Sequence, residues 1–200
     1  KNTIQAKKLD LAQPIVNFNT KFNFVHFLAI TGKTKLLSQM NISDEEMLKK
    51  VQVTNVGEEV NRKDAWIFGG TALHLAAMYS PEALPILLNT AQDKNRVMEA
   101  ISLASGKHRG VTALHVAAMS HDPFGVQILL KHGAKQEAQD SKNYTPLFYA
   151  AKAAGIEATY HLLETGQANA NAQGTNGKTA LFKAESSDML PMLKSIQNNS

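Results

Sequence analysis

Short apolar segments recur along the chain with a regular spacing and the same internal order of residues. Residues 71–77 read TALHLAA, 112–118 read TALHVAA, 145–151 read TPLFYAA and 179–184 read TALFKA. The leading threonines are 41, 33 and 34 residues apart. A second apolar run, such as Ile128-Leu129-Leu130, follows each of the first three segments before a polar stretch leads to the next copy. The pattern predicts pairs of short helices in a repeated unit.

The residues around each threonine predict a tight turn that leads into a helix. Threonine is a good N-cap because its hydroxyl accepts a bond from a backbone N–H two or three residues later. The residue two positions earlier belongs to a type that tolerates a left-handed backbone. These turn residues are Gly69, Gly110, Asn143 and Gly177. We also expect Gly133 and Gly166 to end the second helices in that conformation.

Paired alanines follow the threonines and predict closely stacked first helices. The pairs are Ala76–Ala77, Ala117–Ala118 and Ala150–Ala151. Larger side chains at these positions would push neighbouring helices beyond the usual spacing of about 8–10 Å.

The repeated unit resembles the ankyrin repeat, whose pattern is T-P-L-H-x-A at a period of 33 residues. One full unit, from Gly110, reads GVTALHVAAMSHDPFGVQILLKHGAKQEAQD and follows the family layout. A weaker copy upstream, VHFLAITG, has Asn23 at the threonine position and Gly32 six residues after His26. The resemblance implies an all-α solenoid of about five helix-turn-helix units joined by β-hairpin-like loops. The first and last units are degenerate, and insertions follow units 1 and 2.

The unit boundaries follow from the positions of the repeated segments. We expect an N-terminal extension at 1–20, a degenerate repeat with an insertion at 21–69, a repeat with an insertion at 70–110, repeats at 111–143 and 144–177, and a partial C-terminal capping repeat at 178–200. The chain begins with Lys1 rather than methionine, so we expect further residues upstream.

The first insertion predicts a short helix and then an extended segment. Ser43 and Glu46 have the spacing of a capping box, which predicts a helix over residues 44–51. The stretch after it contains Asn55 and Gly57, which favour an extended hairpin.

In each unit the first helix is the inner one and the second helix is the outer one. The second insertion either prolongs the outer helix of its unit or adds a helical turn around Asn95–Ile101. A loop with Lys107, His108 and Arg109 at its tip follows. Insertions in repeat proteins map to loops on one face, which is often the binding face. Either insertion could instead only buttress the array.

The recurring histidines, His74 and His115, are interpreted as structural residues. Each lies in the first helical turn, where an imidazole can bond the threonine hydroxyl and the backbone of a neighbouring turn. In later units Phe148 and Phe182 replace them. A catalytic or metal-binding role would need partners that converge on one place, whereas these histidines are one repeat apart.

Composition excludes several classes of function. The chain has 200 residues, with 21 Lys and Arg, 17 Asp and Glu, and no cysteine. The net charge of +4 is mild, which argues against nucleic-acid binding. No apolar run approaches the roughly 18 residues of a membrane span.

We find no pattern for a cofactor, a metal or a small-molecule ligand, and no catalytic motif. The Gly-Lys-Thr at residues 32–34 lacks the earlier glycine of a phosphate-binding loop, because Phe27 stands in its place. We therefore predict that this segment is not an enzyme.

The resemblance implies a monomeric protein-interaction module that binds a partner protein through hairpin tips and the concave inner-helix surface. The candidate partner-binding residues are Trp66, Met78, Tyr79, Lys107, His108, Arg109, Met119, His121, Lys142 and Tyr144. Packing is the alternative role for Trp66, Tyr144 and the methionines. The alternative function is a targeting segment of a larger multidomain enzyme whose catalytic domain lies outside these residues.

The expected location is cytoplasmic. The insertions and the surface rich in Lys, Asn and Gln resemble ankyrin effectors that intracellular bacteria deliver into host cells. A eukaryotic cytosolic scaffold is the alternative.

Overall fold

The computed structural model describes residues 20–21, 24–49, 52–53, 70–100, 110–120, 122–165, 167–184 and 191. The helices in these ranges are α1 Phe24–Thr31, α2 Thr34–Gln39, α3 Asp44–Leu48, α4 Ala72–Tyr79, α5 Leu84–Thr90, α6 Lys94–Glu99, α7 Ala113–Met119, α8 Pro123–Lys131, α9 Pro146–Lys152, α10 Ile156–Glu164 and α11 Ala180–Ala184. A 3₁₀ turn, Pro81–Ala83, precedes α5. The strands β1 Thr20–Lys21 and β2 Gln52–Val53 pair antiparallel, with Thr20 opposite Val53.

The helices form two rows. The inner row contains α1, α4, α7, α9 and α11, and each helix contacts the next. The outer row contains α2, α5, α8 and α10, again with successive contacts. The alanine pairs of α4, α7 and α9 are buried, as close stacking of the inner helices requires. The predicted all-α solenoid of helix pairs is therefore confirmed.

The turns that lead into the inner helices have the predicted backbone. The φ angles are 80° at Gly110, 60° at Asn143 and 71° at Gly177. After α8, Gly133 has a φ of 87°, as expected at the C-terminal end of a helix. Gly69 and Gly166 lie outside the described residues.

The first insertion forms a helix shorter than the sequence predicts. Ser43 and Glu46 make the predicted capping box at the start of α3. The helix ends at Leu48 rather than residue 51, because the ψ angle of Lys49 is 133°, outside the helical range. The predicted hairpin around Asn55 and Gly57 lies outside the described residues.

The second insertion contains a separate helix, so the alternative of a prolonged outer helix is wrong. Ala91 has an extended backbone that ends α5. The Asp93 carboxylate accepts the Arg96 N–H and caps α6. The extra helix spans Lys94–Glu99 instead of the predicted Asn95–Ile101.

Candidate functional site

The buried His74 joins two successive units through both of its ring nitrogens. Its Nδ1 lies 3.2 Å from the Thr71 amide nitrogen and 2.9 Å from the Thr71 hydroxyl. Its Nε2 lies 2.9 Å from the carbonyl oxygen of Val111, in the turn of the next unit. Because a backbone N–H only donates and a carbonyl only accepts, Nδ1 is the acceptor and Nε2 carries the proton. The imidazole is neutral and bonded on both sides.

His115 repeats this arrangement one unit later. Its Nδ1 accepts the Thr112 N–H at 3.0 Å, and its Nε2 donates to the carbonyl oxygen of Tyr144 at 3.0 Å. Burial lowers the pKa of His115 to about 4, against the opposing effects of the Tyr144 carbonyl and the Asp140 charge. The structural role predicted for these two histidines agrees with this geometry, because neither ring nitrogen is left to bind a ligand.

His26 plays a related part in the degenerate first unit. Its Nε2 lies 2.8 Å from the carbonyl oxygen of Lys49, which directly follows α3. Burial lowers the pKa of His26. The first insertion is therefore held against the first inner helix.

Two loops at one end of the inner helices form neighbouring fingers. We call residues 134–144 the first finger and residues 168–178 the second finger. The Thr175 N–H donates to the Lys142 carbonyl at 2.9 Å, and the Asn169 N–H donates to the Glu137 carboxylate at 2.8 Å. These bonds fix the spacing between the two fingertips.

Tyr144 adds an aromatic link between the fingers. Its ring stacks on Phe148 with centroids 3.8 Å apart, and its hydroxyl donates to Asn176 Oδ1 at 2.8 Å. Gly174 lies directly against the ring, so that a Cβ added there would overlap it. The structure gives Tyr144 a packing role and leaves part of the side chain accessible.

The first finger is organised around the buried Asp140. Its Oδ1 accepts the N–H groups of Lys142 and Tyr144 at 2.8 and 2.9 Å. Its Oδ2 accepts the Tyr149 hydroxyl at 2.7 Å. Burial, followed by the bond to Asp140, raises the pKa of Tyr149. The finger thus has an internal polar anchor that the sequence analysis did not identify.

The structure separates the candidate partner-binding residues into two groups. Met78, Tyr79 and Met119 are half-buried at the C-terminal ends of α4 and α7, where they pack on the core. Lys142 and Tyr144 lie at the opposite end, just before α9. An inner helix of seven residues is about 10 Å long, so one partner would have to span roughly that distance to reach both groups.

Five of the candidate residues lie outside the described part of the chain. They are Trp66, Lys107, His108, Arg109 and His121. Their assignment to partner binding therefore stays a prediction from the sequence.

The two insertions contact each other. Both carboxylate oxygens of Asp44 in α3 accept backbone N–H groups before α6, from Gln92 at 2.9 Å and Asp93 at 2.8 Å. Arg96 pairs with Glu45 at 2.7 Å across the same junction. The sequence located both helices, but it gave no signal that segments 48 residues apart would meet.

A cationic site around Phe182 was also missed. The Lys178 Nζ lies 4.4 Å from the centre of the Phe182 ring, and the Lys183 Nζ lies 5.9 Å from it. Lys178 precedes Thr179 as Tyr144 precedes Thr145, so the register of the repeat could have indicated this contact.

Within the residues that the structure describes, no three His, Asp or Glu side chains gather in a group that could hold a metal ion. No helix among these residues has the length and apolar character needed to cross a bilayer.

Comparison with known proteins identifies the repeats. A family model described as ankyrin repeats in three copies matches residues 18–140. The B-cell lymphoma 3 protein homolog of Mus musculus is 35% identical over 130 residues, which cover 64% of this chain and 28% of the relative. Protein glp-1 of Caenorhabditis elegans is 27% identical over 194 residues, which cover 94% of this chain and 14% of the relative. Neurogenic locus notch homolog protein 1 of Mus musculus is 40% identical over 119 residues, or 58% of this chain and 4% of the relative. The chain thus spans less than a third of each of these relatives.

Proposed function

Since the chain belongs to the ankyrin-repeat family, we propose that it binds a partner protein through its fingers and the concave inner-helix surface. Ankyrin repeats are protein-interaction modules. The observation that carries the proposal is the set of bonds between successive units. His74, His115 and Tyr144 each connect one unit to the next, so the units present one continuous surface.

A stiff surface suits binding because little conformational entropy is lost when the partner docks. Solenoid proteins use their extended inner surfaces in this way. Met78, Tyr79 and Met119 offer half-exposed apolar contacts on the inner helices, and Lys142 and Tyr144 offer polar and aromatic contacts on the first finger. The sequence adds Trp66, Lys107, His108, Arg109 and His121 as further candidates.

The test compares two double variants that carry equivalent changes on different faces. Met119→Gln with Lys142→Glu alters the proposed surface. Phe124→Gln with Lys131→Glu alters exposed positions of the outer helix α8. A partner is first captured from a cell lysate and purified, and its affinity for each variant is then measured together with the melting temperature. We expect weaker binding from the first variant alone.

The opposite result would place the partner on the outer face and remove the proposed surface. A similar loss in both variants, accompanied by a lower melting temperature, would show a folding defect. The single variants Lys142→Glu and Lys131→Glu then repeat the comparison without changing a core residue. The backbone of Lys142 is held by hydrogen bonds to Asp140 and Thr175, and Lys131 is exposed.

The alternative proposal is a targeting segment of a larger multidomain enzyme. It rests on the sequence analysis alone, and this chain spans only a small share of each relative. The sequence of the whole protein distinguishes this alternative from the protein-binding proposal, because an adjoining domain with a catalytic motif would favour the alternative. Under either proposal the segment itself acts as a monomer and needs no cofactor.

The origin inferred from the surface composition receives no support from these relatives. Those reported above come from a mammal and a nematode. Secretion by an intracellular bacterium therefore rests on the sequence alone, and a eukaryotic origin accords better with the matches.

A further inference from the structure

In the C-terminal part of the array, acidic and basic side chains lie on different sides. Residues 141–184 contain four lysines, two glutamates and no arginine or aspartate. Both glutamates, Glu157 and Glu164, lie on the outer helix α10. The lysines lie on the fingers and at the ends of inner helices, at positions 142, 152, 178 and 183. The finger side of residues 141–184 is therefore basic. The first finger also carries Glu137 and Asp140, whose carboxylates accept backbone N–H groups of Asn169, Lys142 and Tyr144.

Three of these lysines make no side-chain ion pair in the part of the chain that the structure describes. The ion pairs found there join Arg96 to Glu45 and Lys135 to Glu99. Lys142, Lys178 and Lys183 take part in neither pair. The Asp140 carboxylate near Lys142 instead accepts backbone N–H groups and the Tyr149 hydroxyl, so the three ammonium groups remain available to an anionic partner.

An apolar contact point lies among these lysines. The Phe182 ring is 44% exposed, whereas Phe148 at the equivalent position of the preceding unit is 5% exposed. Tyr144 stacks on Phe148, but at Phe182 the corresponding residue is Lys178, whose ammonium group lies 4.4 Å from the ring centre. Lys178 and Lys183 thus both approach an aromatic ring that retains a free surface.

The backbone that carries the lysines is fixed by hydrogen bonds. The Lys142 carbonyl accepts the Thr175 N–H, and the Gly174 N–H donates to the Lys178 carbonyl at 3.0 Å. Asn176 Oδ1 accepts both the Tyr144 hydroxyl and the Lys178 N–H. When a ligand pairs with these ammonium groups, conformational entropy is therefore lost by the lysine side chains but hardly by the backbone.

We propose that Lys142, Lys178, Lys183 and the exposed part of Phe182, which we call the basic finger surface, bind an extended acidic polypeptide segment. The proposal rests on the proposed function and names the chemistry of the partner. In an extended chain, alternate side chains lie on one side and are about 6.6 Å apart. Two carboxylates can therefore pair with lysines while a nearby apolar side chain covers Phe182.

A polypeptide fits this surface better than a nucleic acid. Nucleic-acid sites commonly combine many Lys and Arg contacts along a phosphate backbone. The basic finger surface has three lysines, no arginine and an apolar ring in its midst. An acidic peptide with one aromatic or aliphatic residue satisfies all of these features.

The test uses a fluorescent twelve-residue peptide rich in Asp and Glu with a central Phe. The control probes are the same peptide with Asn and Gln in place of the acids, and a single-stranded oligonucleotide. Each exposed ion pair is worth roughly 1.4- to 5-fold in affinity, so each single Lys→Gln variant should weaken binding by that amount. The triple variant Lys142→Glu, Lys178→Glu, Lys183→Glu should lose at least about tenfold. Salt should weaken binding of the acidic peptide.

A matched triple variant controls for net charge. Lys33→Glu, Lys35→Glu, Lys131→Glu changes the charge equally at exposed positions elsewhere and should bind the acidic peptide nearly as the parent protein does. Equal losses in both triple variants, equal binding of the amide peptide, or tighter binding of the oligonucleotide with the same lysine dependence would each overturn the proposal. If the acidic peptide fails while the purified partner still depends on Lys142 and Met119, the charge proposal falls and the proposed function stands.

Discussion

His115 donates its Nε2–H to the carbonyl oxygen of Tyr144, 3.0 Å away and 29 residues later in the chain. The same ring accepts the Thr112 N–H through Nδ1. The His115 side chain therefore bonds the N-cap of its own helix, α7, and also bonds the backbone of the residue that lies just before the next inner helix, α9. Tyr144 in turn bonds Asn176 in the following finger. The order of the units is maintained by such directed contacts as well as by apolar packing.

Replacing His115 by Phe should destabilise the array, although Phe148 occupies the equivalent position in the next unit. Phe148 is covered by the stacked ring of Tyr144, whereas the residue before Thr112 is Val111. The variant would leave the buried Thr112 N–H without its acceptor. We expect a loss of about 2–4 kcal/mol in the free energy of unfolding, measured by urea denaturation.

His132→Phe is the matched control for that substitution. Its Nδ1 lies 2.9 Å from the Ile128 carbonyl oxygen in the preceding helix of the same unit, and the side chain is half-buried. A cost below about 1 kcal/mol is expected there. Equal costs at the two positions would contradict the linking role of His115.

The stability of the protein should fall as the pH is lowered from about 6.5 to 4. Burial lowers the pKa of His115 in the folded state to about 4, below its ordinary value of 6.5. The unfolded chain therefore binds more protons in this interval, so acid favours unfolding. The stability that neutral His115 provides is fully present above about pH 6.5, and its loss amounts to about 3 kcal/mol by pH 4. His26 acts in the same direction, because burial lowers its pKa as well.

Urea denaturation of the parent protein and of His115→Gln at several pH values isolates this effect. The difference between their free energies of unfolding should be largest near neutrality and should narrow towards pH 4. Carboxylates that titrate in the same range are common to both proteins and cancel in the difference. A difference independent of pH would mean that His115 ionises equally in the folded and unfolded chains.

Local patterns in the sequence predicted most of the architecture. The spacing of the threonine-led segments gave the helix pairs, and Gly110, Asn143 and Gly177 adopted the expected left-handed backbone. Ser43 and Glu46 marked the start of α3. These features depend on contacts within a few residues, which a sequence pattern can record.

Features that depend on distant contacts were not predicted. Asp44 looked like an ordinary acidic residue in the first turn of a helix, yet its carboxylate binds the backbone of Gln92 and Asp93. Lys178 and Lys183 appeared only as scattered charges until the fold placed both beside Phe182. Spacing alone does not show which side chains will share a surface across units.

Gly174→Ala should destabilise the junction between the fingers. The added methyl group would overlap the ring of Tyr144, which stacks on Phe148 and bonds Asn176. Either the ring or the second finger would have to move. We expect a cost of about 1–3 kcal/mol, the usual range for overpacking, in thermal or urea unfolding.

A double-mutant cycle identifies the cause of that cost. Tyr144→Ala should itself destabilise the protein, because it removes the stacked ring. In the Tyr144→Ala background, however, Gly174→Ala should become nearly neutral, since the overlapping atoms are gone. If the cost of Gly174→Ala is the same in both backgrounds, the contact with Tyr144 is not responsible for it.

Asp44→Ala should loosen the junction between the two insertions. Its carboxylate accepts two backbone N–H groups, from Gln92 and Asp93, just before α6 begins. Without it, both donors lose their protein partner at once. We expect a loss of about 1–3 kcal/mol in stability, since bonds to a charged group are stronger than neutral ones. Hydrogen exchange at the Gln92 and Asp93 amides should also become faster.

Glu45→Ala provides the comparison for Asp44→Ala at the adjacent position. Glu45 pairs with Arg96 across the same junction, but both side chains are largely exposed, at 72% and 54%. Such pairs contribute about 0.2–1 kcal/mol and are screened by salt. Exchange at Gln92 and Asp93 should therefore stay close to that of the parent protein. Equal acceleration by both variants would show that the insertions are held together by general charge attraction rather than by the Asp44 carboxylate.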